Sequence, residues 1–132
     1  MKKMTVILTV LMSFLFIGNL PAVEQSVDWD AFSLNLVQAL KSNSEGLQLS
    51  AMQLVVKHGD KVWVNDAAYE IYQVFRYHKN NRIRQLALVT LYKMDNAWFK
   101  DVLKEDVKTE TSPIIKHQMI AIINENAGKV KI

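Results

Sequence analysis

The side chains able to do chemistry in this chain are three histidines (His58, His78 and His117), thirteen acids and sixteen bases, with no cysteine. The missing thiols exclude a thiolate nucleophile, a cysteine-ligated metal and disulfide staples. No H-E-x-x-H pair occurs, and no two histidines are close enough in sequence to argue for a shared metal. His58 and His78 fall at expected helix ends, where an imidazole can meet terminal carbonyls, and His117 falls on a helix surface. The carboxylates show no EF-hand spacing. Most sit at expected helix starts or in turns, where capping and solvation account for them. There is no G-x-S-x-G, glycine-rich phosphate loop or Walker sequence. This inventory predicts no catalytic residue, no metal and no cofactor, and leaves open a site whose residues converge only in space.

One stretch still draws attention: NNRIRQLALVTLYKMDN, Asn80 to Asn96. Its two arginines, lysine and tyrosine suit either a patch that grips a polyanion or the polar side of a structural element. Overall charge argues against the first reading. The formal net charge of +3 and a pI near 9.1 include Lys2 and Lys3, which precede an uncharged apolar run from Thr5 to Ile17. Gly18, Asn19 and Pro21 break that run ahead of Ala22. A basic start, a short apolar run and a small-residue cleavage site predict a secretory signal peptide at residues 1–22, with Leu20 an imperfect match at the −3 position. The run is shorter than the roughly 20 residues that span a bilayer, so no stable membrane insertion is expected unless the signal stays uncleaved. Once the signal is removed the net charge is +1, which gives no case for nucleic acid. The expected location is the periplasm or the exterior of a bacterial cell, with residues 23–132 forming a single domain.

The elements that position these residues read as helices. In Asn80–Asn96 the apolar residues Ile83, Leu86, Ala87, Leu91 and Met94 keep a helical period. Asn80 or Asn81 can cap the start, and Asp95-Asn96 can end the helix in a left-handed turn. The pattern recurs. A backward shift of 36 residues lays Leu47, Ala51, Met52, Val55 and Gly59 over Ile83, Ala87, Leu88, Leu91 and Asp95. A forward shift of 32 lays Ile115, Met119, Ile120, Ile123 and Ala127 over the same five. A second helical pattern precedes each: WDAFSLNLVQALK, DAAYEIYQVFRYH with Asp66 as its cap, and AWFKDVLKED. Polar turns join the halves, with Ser42-x-x-Glu45 offering a capping box and Ser112-Pro113 a cap followed by proline. Only KVWVND looks strand-like. Trp98 is expected to pack between units, and Trp63 to be either a core residue or a partly exposed anchor.

These second helices resemble the HEAT repeat, whose pattern V-R-x-x-A-x-x-x-L-x-x-x-G reads here Ile83-Arg84-x-x-Ala87-x-x-x-Leu91-x-x-x-Asp95. The flanking copies read Leu47-Gln48 to Gly59 and Ile115-Lys116 to Ala127. Departures are the arginine present only at Arg84, the glycine only at Gly59, and Met119 in place of a small residue. The resemblance covers roughly residues 30 to 128 and implies an all-α fold: about three helix–turn–helix repeats stacked as a short right-handed α-α superhelix. It further implies that the second helices line a concave face on which equivalent positions form columns. One column is Gln48, Arg84 and Lys116, beside Arg82; the other is Lys57, Lys93 and Glu125. The candidate partner-binding residues are therefore Gln48, Lys57, Arg82, Arg84, Lys93 and Lys116, facing an acidic segment of another protein.

The resulting expectation is a non-catalytic exported scaffold or adaptor of the cell envelope. The alternatives are a small exported enzyme or ligand-binding helical domain, an anchored regulator with its signal retained, and a relative of the HEAT-like phycobilin lyases. Export and the missing cysteine speak against the last.

Overall fold

Short polar side chains start most of the helices. In the computed structural model, which describes residues 26–129, Asp28 accepts from the backbone N–H of Asp30 and Ala31 and opens α1 (Trp29–Leu40). Ser44 opens α2 (Glu45–His58), with Leu47 N as donor. Asn80 opens α4 (Asn81–Lys93) through Arg82 N at 2.9 Å, and Asn96 opens α5 (Ala97–Thr109) through Phe99 N at 3.0 Å. Each cap satisfies an N–H that a helix start leaves without an internal partner. Pro113 takes the first position of α6 (Pro113–Lys129), where a missing N–H costs nothing.

Two cap assignments change. Ser42 accepts from Ser44 N instead of closing a box with Glu45, so the cap moves two residues along. Asp66 lies inside a 3-10 turn, Asn65–Ala67, which leads into α3 (Ala68–Tyr77) with no side-chain cap. The strand-like KVWVND is that connection: Lys61 is in a turn, Val62 to Val64 are irregular, and no strand occurs among the described residues. The export signal expected at 1–22 lies outside the described residues.

The architecture is all-α. Helices pack in consecutive pairs, α1 with α2, α3 with α4 and α5 with α6, and the second helices also touch in the order α2, α4, α6. The stripe shared by the three second helices forms much of the core: Ala51, Ala87 and Met119 are buried, as are Val55, Leu91, Met52 and Leu88. Truncating any of the large ones to alanine would cost about 2–5 kcal/mol. Between the first helices of neighbouring pairs, Phe75 meets Phe99 edge-on, with ring centroids 6.2 Å apart. Tyr72 meets Trp98 at 5.1 Å, so Trp98 does bridge two pairs. Trp63 remains half exposed, tied down by its indole N–H to Asp30 Oδ1 and its backbone N–H to Ser33 Oγ. No helix of the described residues is long and apolar enough to cross a membrane.

Candidate functional site

The turns inside the pairs (41–44, 78–80 and 110–112) bring most of the chain's organised polar chemistry to one edge of the helix stack. Two second helices reach back there in the same way. The Gln48 amide of α2 donates to the Leu40 carbonyl at the end of α1, at 2.8 Å. Arg84 Nε of α4 donates to the Phe75 carbonyl in the last turn of α3, at 2.7 Å. Each bond satisfies a carbonyl that a helix end leaves open and pins the second helix to the first.

Arg84 does more. Its guanidinium lies over the Phe75 ring, 5.8 Å from the centroid, and its two terminal nitrogens take both oxygens of Glu110, at 2.5 and 3.3 Å. The Glu110 side chain is only 2% exposed and that of Arg84 12%. Glu110 Oε1 also accepts from Ser112 N at 2.8 Å. Burial alone would raise the Glu110 pKa, but the Arg84 hydrogen bonds, the Ser112 N–H and the nearby charges of Arg84 and Arg76 outweigh it and hold the carboxyl below its ordinary value. Beside this pair, the Tyr72 hydroxyl donates to Asp106 Oδ2 at 2.8 Å, and Arg76 Nε stands 3.7 Å from the same oxygen. Burial, then the bond to Asp106, pushes the Tyr72 pKa up to about 12.

These groups flank a small polar cleft of about 170 Å³ lined by Arg76, His78, Arg84, Thr109, Glu110 and Thr111. On the other side of His78 a wider cleft of about 380 Å³ opens toward Lys41, Glu45, Gln48, Glu70 and Gln73. His78 joins the two. Its Nδ1 accepts from Asn80 N, in place of the carbonyl contact expected of a helix-end histidine, and its Nε2 faces Glu45 at 3.6 Å. Glu70 Oε2 is buried at this edge without a hydrogen-bond partner. Among the described residues no group of three histidines or acids is placed to hold a metal ion.

The six expected binding residues divide. Gln48 and Arg84 are spent on holding helix pairs together, and Arg84 is nearly covered, so two of the three positions of that column form an internal clamp. Lys116, the third member, is half-buried. Lys57 and Lys93, in the last turns of α2 and α4, and Arg82, at the start of α4, are exposed. Capping and solvation, expected of most of the acids, do not cover Asp106, which holds Tyr72, or Glu110. Glu110 does cap Ser112, but it is also the buried counter-ion of Arg84. The signal for that was the arginine itself, which stands where the first helix of the series has the uncharged Gln48.

No protein-family model matches the chain, and neither a curated protein nor a solved structure shows detectable similarity to it.

Proposed function

We propose that this chain is an exported, non-catalytic HEAT-like repeat module, a short right-handed α-α superhelix, that docks an acidic segment of another protein across α2 and α4. The observation that carries the reading is the division of its cations. Arg84 turns inward to hold the stack, whereas Lys57, Arg82 and Lys93 stay in solvent on two adjacent second helices. Cations on a rigid helical face attract a flexible acidic chain at long range and lose that pull as salt rises. The repeat reading is supported by the matched Gln48 and Arg84 bonds and by the side-by-side order of α2, α4 and α6.

The test is binding of a fluorescent octaglutamate peptide, followed by anisotropy at low and at physiological salt. A Lys57→Glu, Arg82→Glu, Lys93→Glu triple variant should lose at least about tenfold in affinity, since each rim charge contributes roughly 0.5–1 kcal/mol, with an unchanged helical circular dichroism spectrum. Equal affinity of the two proteins would rule the face out. N-terminal sequencing of the protein recovered from cells tests export separately, with Val23 expected as the first residue.

A further inference from the structure

The register of the second helices leaves equivalent positions uncovered at the two ends of the described stack. One set of register positions recurs in the second helices: Leu47 and Leu54 in α2, Ile83 and Thr90 in α4, Ile115 and Ile122 in α6. Where a preceding pair exists, these residues are buried or half-buried. In α2, the first of these helices among the described residues, Leu47 is 50% and Leu54 36% exposed. A second set faces the following pair: Leu49, Met52 and Val56 in α2, then Gln85, Leu88 and Tyr92 in α4. Both trios are buried or half-buried. Their counterparts in α6, His117, Ile120 and Asn124, are all exposed, Ile120 by 43%.

We propose that copies of this chain associate head to tail, α6 of one copy packing on α2 of the next. This contact continues the interface that already joins α2 to α4 and α4 to α6 within the chain. Ile120 takes the place of Met52 and Leu88, and Leu47 of the second copy takes the place of Ile83 and Ile115. The polar neighbours of Ile120 fit this role. Tyr92, the counterpart of Asn124, serves the internal interface by donating its hydroxyl to Glu125 of α6 at 2.7 Å. Such a contact is heterologous, using a different surface on each partner, so it leaves one open end of each kind and extends with concentration. It rests on helix contacts alone and is independent of the acidic partner proposed above.

Heterologous pairing has a complementation signature. Sedimentation velocity of the protein as isolated from cells should show assemblies growing with concentration. Leu47→Glu blocks one end and Ile120→Glu the other, so each variant alone should remain a single chain. An equimolar mixture should form a species of two chains and nothing larger, because the intact end of each variant meets the intact end of the other. Leu54→Glu and His117→Glu form a second pair at the same two ends, should either first variant fail to fold. A wild-type protein that stays monomeric at every concentration overturns the proposal, as it would if another protein or the chain's own N-terminal segment covered the α2 end. So does an Ile120→Glu protein that still dimerises, which would signify symmetric pairing through α2, or a mixture that fails to restore the pair.

Discussion

Arg84 and Glu110 lock α4 to the end of α5 by a two-pronged ion pair, at 2.5 and 3.3 Å, in which both side chains are almost out of water. Removing one member leaves a buried charge without its counter-ion, so Arg84→Ala or Glu110→Ala should each cost about 3 kcal/mol in urea unfolding. A joint Arg84→Met, Glu110→Leu replacement should cost less than either, because it removes both desolvation penalties together. Lysine at 84 should not substitute, as it cannot span both oxygens while holding the Phe75 carbonyl. Additive losses in the double-mutant cycle would show that the two residues act separately.

The same pair sets an acid limit on stability. The Glu110 pKa is lower in the folded chain than in the unfolded one, so its contribution is fully present above the ordinary carboxylate value near 4.5. That contribution disappears as pH falls through the folded value. Unfolding free energy should decline more steeply below about pH 4.5 in the wild type than in Glu110→Gln. Parallel pH profiles would assign the acid sensitivity to other carboxylates.

At the alkaline end the sign reverses. Tyr72 keeps its proton to about pH 12 against a usual 10.0. Its contribution is therefore complete below pH 10 and lost as pH climbs toward 12. In an ultraviolet titration, Tyr72→Phe should remove a tyrosine that ionises near pH 12 and flatten the stability profile over that interval. If the late component persists in the variant, Tyr72 is not its source.

The helices were legible in the sequence because burial follows period: Ala87, Leu88 and Leu91 recur as Ala51, Met52 and Val55, and each of these is buried. The left-handed turn anticipated at Asp95-Asn96 is present, with φ of 52° at Asp95. The binding face was less legible, because a single helix cannot say which of its charges turns inward. Arg84 and Arg82 are two residues apart, yet only Arg84 finds a buried carboxylate, and that carboxylate is 26 residues away. The polar edge also depends on Asp106 and Glu110 at the end of α5, whose partners lie in other helix pairs. Spacing within α5 carries no trace of them.

Gly59 makes the close approach of α2 to α4 possible. Its φ of −56° is ordinary helical backbone, so conformational freedom is not what it supplies. Space is: an added Cβ would stand 3.2 Å from Lys93 Cβ and 3.0 Å from the Val55 carbonyl oxygen. Lys93 Cβ is fixed by its helix, and relief requires α4 to shift. Overpacking of about 1–3 kcal/mol should outweigh the roughly 0.5–1 kcal/mol that alanine gains over glycine at a helix end. Gly59→Ala is expected to lower stability by about 1 kcal/mol, and Gly59→Val by about 2–3 kcal/mol. An alanine variant more stable than the wild type would mean that α4 yields freely.

Asp95 presents the opposite case, a position where glycine is absent and its freedom would help. It follows α4 in the left-handed region, where a Cβ crowds the next carbonyl at a cost of about 1 kcal/mol. Aspartate tolerates this better than most residues, and here its carboxylate pairs with Lys100. That pair is open to solvent on the Asp95 side, with the side chain 81% exposed, and exposed pairs contribute about 0–1 kcal/mol. Backbone relief should therefore match or exceed what the lost ion pair supplied. Asp95→Gly is expected to leave the thermal midpoint unchanged or raise it by a few degrees, at about 4–8 °C per kcal/mol for a domain of this size. Asp95→Val, with branching at Cβ, should lower stability by about 1–2 kcal/mol. A glycine variant that melts well below the wild type would show that the Lys100 pair, and not the backbone, governs the exit from α4.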